Sequence, residues 1–173
     1  MDFQDNTYDQ FANQYASIVE KPTEGEFSPY HSLVLPCLLE FVGDVTGLTV
    51  LDAGCGDGYV ARILADHGAC VVGADISHRL IELAQDSSSG RKIEYLVHDL
   101  SKPLPQYVHH FDLVVSNLVL NDVYDHVGFA HTLGSVLKRT GRLVLSMNNP
   151  YSAAMRNKVV NYFDSGKAVQ RQL

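Results

Sequence analysis

Asp52, Gly54, Gly56 and Gly58 fall within one short run, Leu51-Asp52-Ala53-Gly54-Cys55-Gly56-Asp57-Gly58-Tyr59. Glycines so spaced allow backbone conformations closed to other residues and let a ligand approach the main chain with no Cβ in the way. A helix starting directly after them offers unpaired N–H groups to an anion. An ordinary glycine turn would look the same, so the partners of the run matter. Asp75 lies 21 residues after Gly54, the spacing at which a carboxylate accepts hydrogen bonds from ribose hydroxyls. His98-Asp99-Leu100 and Ser116-Asn117 each follow an apolar run. Polar residues at the exits of four successive strands imply one shared crevice, because in open parallel sheets ligands sit outside the carboxyl ends of the strands.

The elements that must hold these groups are readable from periodicity. Apolar runs end at Leu51, Ala74, Val97 and Val115, and a fifth covers Leu143 to Met147. Between them, Val60, Ile63 and Leu64 recur at helical spacing up to Gly68, and Leu80, Leu83 and Ala84 do so after Ser77, an expected N-cap with Ile76 and Ile81 as its staple. Asp122 is expected to cap a helix carrying Val123, Val127, Leu133, Val136 and Leu137, closed by Gly141. Strand and helix alternate at short spacing, which predicts an α/β fold: a doubly wound, mainly parallel sheet with helices on both faces. Ahead of it, residues 1–47 form a helical cap. Tyr8, Phe11, Ala12 and Tyr15 mark one face of a helix over 5–19, and a second helix begins at Pro29 and kinks at Pro36. Residues 48–173 form the ligand-binding core of what reads as a single domain.

Composition narrows the function classes. A net charge of −7, with 13 scattered basic residues among 173, argues against nucleic acid, which needs clustered Lys and Arg. Three cysteines, Cys37, Cys55 and Cys70, form no CxxC pair, so neither a disulfide framework nor a metal site is expected. The N-terminus is acidic and unlike a signal peptide, and no apolar run approaches a membrane span. The expectation is a cytoplasmic protein.

The ordered set Asp52, Gly54, Gly56, Gly58, Asp75, Asp99 and Asn117 resembles the class I S-adenosylmethionine-dependent methyltransferases, in particular the small-molecule type with an N-terminal helical cap. The resemblance covers about residues 48 to 147 and implies a Rossmann-like fold and methyl transfer to a small-molecule acceptor, releasing S-adenosylhomocysteine. It implies that Gly54, Cys55 and Gly56 border the methionyl and ribose portions, that Asp52 positions the methionyl end, and that Asp75 takes the ribose hydroxyls. Asp99 and the Leu100 N–H would meet the adenine edge, Ile76 its face, and the Asn117 carbonyl the methionyl ammonium. A competing reading is an NAD-dependent oxidoreductase with GxGxxG, but position 59 is Tyr59 and the third glycine comes early, at Gly58. A cofactor-binding or assembly module without turnover is the other alternative.

Displacement at a carbon activated by positive sulfur depends chiefly on near-attack geometry, and a base is needed only where the acceptor must lose a proton. His31, His98 and Tyr124 are weak candidates for that role. The resemblance also implies a lid lined by Tyr8 and Tyr15, with plain packing of the cap helix as the other reading. Asn148-Asn149-Pro150-Tyr151 resembles part of the Asn-Pro-Pro-Tyr motif of amino-directed DNA methyltransferases, but it follows strand five rather than four. Ser152 to Phe163 reads as a helix. The resembling fold carries two further antiparallel strands beside strand five, for which the residues up to Leu173 leave too little room. Its apolar edge is therefore expected to be covered by residues 152–173 or by a second copy in a homodimer.

Overall fold

The computed structural model describes residues 7–19, 28–148, 159–164 and 167–172. Five parallel strands, β1 (Thr49–Ala53), β2 (Cys70–Asp75), β3 (Ile93–Val97), β4 (Phe111–Asn117) and β5 (Leu137–Ser146), lie in the order β3-β2-β1-β4-β5. They are strands because their apolar runs are bounded by polar or glycine-rich exits, and the central strands β1, β2 and β4 are buried on both faces. Val50, Leu113, Val115 and Val71 point into one core, while Leu51, Ala53, Val114 and Phe111 point into the other.

Chain order determines which face each helix covers. Right-handed crossovers place α3 (Tyr59–Asp66) and α4 (His78–Ser87), which run outward from β1 to β2 and from β2 to β3, on one face. The crossover from β4 to β5 runs the other way, so α5 (His126–Val136) lies on the opposite face, burying Phe129, Leu133 and Val136. Strand order reverses between β1 and β4, and the crevice at that switch point opens beside Asp52 and Asn117.

The cap is two helices. The first, α1, spans Thr7–Val19 and buries Ala12, with Tyr8 and Tyr15 half-buried; Phe11, expected on the same face, is exposed instead. Pro29 starts the second segment. A π-helical turn over Tyr30–Val34 leads into α2 (Leu35–Val42), and the widened turn sits where Pro36 has no N–H to give an ordinary helical bond. The Arg142 guanidinium donates to the Phe41 and Val42 carbonyls, closing α2 against β5.

Three local expectations change. The N-cap of α5 is Asp125, which accepts the Gly128 N–H at 2.8 Å, while Asp122 sits in a 3-10 turn over Leu120–Asp122. The helix also ends at Val136, not at Gly141. Residues 137–141 belong to β5, which bulges against β4 so that Phe111 pairs with Leu137 and Leu113 with Arg142. The helix expected over Ser152–Phe163 is corrected where it can be seen: Val159–Asp164 is a strand, β6, paired antiparallel with β7, Lys167–Gln172, and residues 152–158 lie outside the described residues. Val159, Val160, Tyr162 and Phe163 are β-branched or aromatic, which suits a pleated ribbon better than a helix. This pair forms a sheet of its own, and the five-stranded sheet ends at β5 among the described residues.

Candidate cofactor site

The cleft at the switch point is lined by Asp52, Gly54, Cys55, Asp57, Val60 and Asn117 from the core, and by Tyr15, Tyr30 and Tyr59. Its floor is the glycine loop. Gly54 and Cys55 both donate to the Ala74 carbonyl, at 2.8 and 3.1 Å, which ties the loop to β2. Gly54 has φ of 79°, and a Cβ there would collide with the Val119 side chain. Gly56 has φ of 54°, and its added Cβ would lie 3.2 Å from the Tyr15 ring. Both positions therefore need glycine for conformation as well as for space.

Asp75 is fixed in place. One carboxylate oxygen accepts the Gly56 N–H and the other the Ser77 N–H, each at 2.9 Å. Each oxygen keeps a lone pair for a further donor, so the carboxylate is oriented but not exhausted. Burial raises its pKa above the ordinary carboxylate value, opposed by the Ser77, Gly56 and Ile76 N–H groups. The Ser77 hydroxyl caps α4 as expected, accepting the Leu80 N–H at 3.1 Å. Ile76 is 39% exposed beside it while Ile81 is buried, so an apolar surface stands open next to the Asp75 carboxylate.

Asp52 is the least satisfied polar group in the cleft. It is 1% exposed, and its Oδ2 has no hydrogen-bond partner. Burial first, and then the charge of Asp75, push its pKa up to about 7, against a lowering contribution from the Ala61 N–H. Asp57 is also raised by burial, although Arg62 counters this with an ion pair at 3.4 Å and a bond from Nη1 to the Asp57 carbonyl at 2.6 Å. The Cys55 thiol is pushed well above its usual range by burial and by the charge of Asp52, which keeps it neutral. Two carboxylates, Asp52 and Asp57, line the cleft, and Asp52, which has no cationic partner among the described residues, is chemically matched to a cation.

The remaining expected residues divide. Asp99 accepts the Ser101 N–H at 2.9 Å in an Asx turn at the exit of β3, and Leu100 beside it is buried. Asn117 reaches the cleft, where its side chain bridges Tyr30 and Ser146. His31 lies beside the cleft rather than in its lining, packed edge-on against Tyr30 and Tyr59, with Nδ1 on Ser28 Oγ at 3.0 Å and Nε2 buried without a partner. The His98 ring contacts the Lys102 carbonyl, and Tyr124 is fully exposed, so neither joins the cleft lining. No group of metal-binding side chains occurs among the described residues.

Sequence reasoning missed Tyr30, Tyr59 and Asp57 as lining residues. Asp57 was readable as an acid just before a helix, whereas Tyr30 arrives from a distant segment with no spacing signal. Tyr15 does meet the glycine loop. Its helix is pinned at its first turn, by the Tyr8 hydroxyl donating to Asp122 at 2.8 Å and by Asp9 accepting from the Ser77 hydroxyl and the Arg79 N–H.

A doubly wound sheet whose switch point presents a glycine loop, a locked carboxylate on β2 and an apolar residue beside it defines a nucleoside-binding domain. Residues 51–145 match the methyltransferase domain family, and the chain belongs to that family. The match spans the glycine loop itself, which sets aside the dinucleotide reading. Over 131 residues the chain is 30% identical to the ubiquinone biosynthesis O-methyltransferase of Salmonella enteritidis, covering 73% of this chain and 54% of that protein. The chain thus spans about half the length of the curated relatives it matches. A crystal structure of an S-adenosylmethionine-dependent methyltransferase from Mesorhizobium loti is similar with a TM-score of 0.65 and 30% identity, over 79% of this chain and 62% of that one. Magnesium protoporphyrin IX methyltransferase from Synechocystis, solved with bound S-adenosylhomocysteine, shares the fold with a TM-score of 0.61 at 19% identity, over 90% and 87% of the two chains.

Proposed function

We propose that this chain binds S-adenosylmethionine and transfers its methyl group to a small-molecule acceptor. The observation that carries the reading is the orphaned Asp52 Oδ2, buried in the cleft at the switch point, with the locked Asp75 at the exit of the neighbouring strand β2. A buried carboxylate without a donor is costly, and an ammonium-bearing ligand relieves that cost. Asp75 would accept from the ribose hydroxyls with its free lone pairs, and Ile76 would pack on the adenine face. Asp99 and the Leu100 N–H would meet the adenine edge, and Gly54 and Gly56 would leave backbone room for the rest. When bound, the cofactor supplies a methyl group made electrophilic by a positive sulfur. The residues of this chain then act by position: α1 and its tyrosines shield the cleft, and the acceptor is aligned rather than activated.

The acceptor side supports the small-molecule reading. Helix α1 lies across the cleft, and the cleft-facing charges are acidic, which suits neither a nucleic acid nor a polyanion. No described helix is long and apolar enough to cross a membrane, and we place the protein in the cytoplasm. Calorimetry with S-adenosylhomocysteine tests the cofactor, with micromolar binding expected. Incubation with S-adenosylmethionine and a metabolite panel, read as S-adenosylhomocysteine formation, tests turnover. Binding without turnover on any acceptor would leave the binding-module alternative standing.

A further inference from the structure

The Tyr30 hydroxyl has no acceptor for its proton among the described residues. The Leu118 N–H can only donate, and it reaches Ser146 Oγ at 3.1 Å. Ser146 Oγ lies 2.6 Å from Asn117 Oδ1, and Asn117 Nδ2 lies 2.9 Å from the Tyr30 hydroxyl. The lengths decide the orientation of the amide. A contact of 2.6 Å suits O–H···O and is too short for N–H···O, whereas 2.9 Å is the usual N–H···O length. Ser146 therefore donates to Asn117, and Asn117 donates to Tyr30. The Tyr30 oxygen is left accepting, and its own proton has no acceptor among the described residues. Burial and the charge of Asp52 push the phenol pKa up, so that proton stays in place.

Tyr30 and Asp52 line the same cleft. One is a committed donor without an acceptor, and the other is a carboxylate oxygen without a donor. Two orphans of opposite sense facing one space are complementary to a zwitterion. Among the described residues no free cation lines the cleft, since Arg62 is engaged with Asp57. We propose that Tyr30, aimed by the Asn117–Ser146 chain, is the hydrogen-bond donor to the carboxylate of the cofactor's amino-acid end, opposite Asp52 at its ammonium. This rests on the cofactor reading above and adds a residue that selects ligands carrying an intact amino acid.

Tyr30→Phe keeps the ring and removes only the donor. Calorimetry should be run on the full chain with two ligands: S-adenosylhomocysteine, and 5′-methylthioadenosine, which lacks the amino-acid end. The variant is expected to lose about 10- to 100-fold in affinity for the first, the range for one hydrogen bond to a charged group. Affinity for the second should stay within about twofold, which also shows that the cleft is intact. Ser146→Ala, which acts only through the chain, should weaken the first ligand alone and by a smaller factor. Unchanged affinity for S-adenosylhomocysteine in Tyr30→Phe would overturn the proposal while leaving the cofactor reading in place. Equal losses for both ligands would also overturn it, by showing that the phenol serves packing. Failure of the unaltered protein to bind either ligand would overturn the cofactor reading itself, and the proposal with it.

Discussion

Asp52→Asn separates what the buried carboxylate costs the fold from what it does for the ligand. In the folded chain, burial and the Asp75 charge lift its pKa from an ordinary 3.8 to about 7. A carboxyl group whose folded value is raised holds its proton in the folded state at pH values where the unfolded chain has released it. Stability is therefore lost as pH rises from about 4 to about 7, and the full penalty applies above that. At about 1.36 kcal/mol per pH unit, the gap corresponds to about 4 kcal/mol. The residue is almost wholly shielded from water, so solvent screening does little to reduce the figure. Asparagine keeps the shape and cannot ionise, although its amide brings an unpaired donor costing about 1–3 kcal/mol at every pH. The difference between variant and parent is thus the informative quantity. Urea unfolding of the ligand-free proteins should show it moving by about 3 kcal/mol in favour of the variant between pH 5 and pH 8, equivalent to a relative gain of about 10 °C in Tm. The same variant should bind S-adenosylmethionine more weakly, because the cation loses its counter-charge. A stability difference that stays flat across this pH range would refute the claim that Asp52 is a strained, unpaired carboxylate.

Asp75→Ala removes both acceptors offered to the ribose hydroxyls and frees the Gly56 and Ser77 N–H groups, so calorimetry should show at least a 10-fold loss for S-adenosylhomocysteine; unchanged affinity would sink the ribose assignment. Gly54→Val places a branched side chain at φ of 79° and against Val119, and should abolish binding in a protein that circular dichroism still reports as folded. Intact affinity there would reduce the glycine to a turn residue. At the sheet edge, β5 pairs only with β4 among the described residues, and Leu143, Leu145 and Met147 are exposed. Light scattering is expected to show a dimer that Leu145→Asp dissociates, and a monomer whose β5 amides exchange freely with solvent would count against it.

The sheet, its order of elements and the glycine-loop side of the cleft were legible because they rest on local rules. Apolar runs leading to Asp52, Asp75, Asp99 and Asn117 are short continuous apolar stretches with polar exits, and Ser77 is an N-cap that reads the same in sequence and structure. Where sequence reading failed, the deciding contact was non-local or two local signals competed. Asp122 and Asp125 are both good caps. Asp125 wins the helix, while Asp122 is taken by Tyr8 from 114 residues away. Gly141 looks like a helix terminus because its neighbours are polar, yet pairing with β4 draws residues 137–141 into a bulged strand. Tyr30 was invisible for the same reason, since nothing near it in the chain announces a bond to Asn117, 87 residues on.

These failures bear on how the cleft works. Residues found from local pattern, Asp52, Gly54 and Asp75, belong to the strand ends and the loop between them, where the proposed reading has them hold a nucleoside. Tyr15, read from sequence as a lid residue, and Tyr30, found only from structure, belong to the cap, and they line the other side. The sheet side carries an unpaired, buried acid, and the cap side a donor without an acceptor among the described residues. On the proposed reading each is met by the opposite end of one amino-acid group. A ligand with both ends should therefore stabilise the chain more than the sum of ligands with one end each, because only the former satisfies both orphans while the cap stays closed.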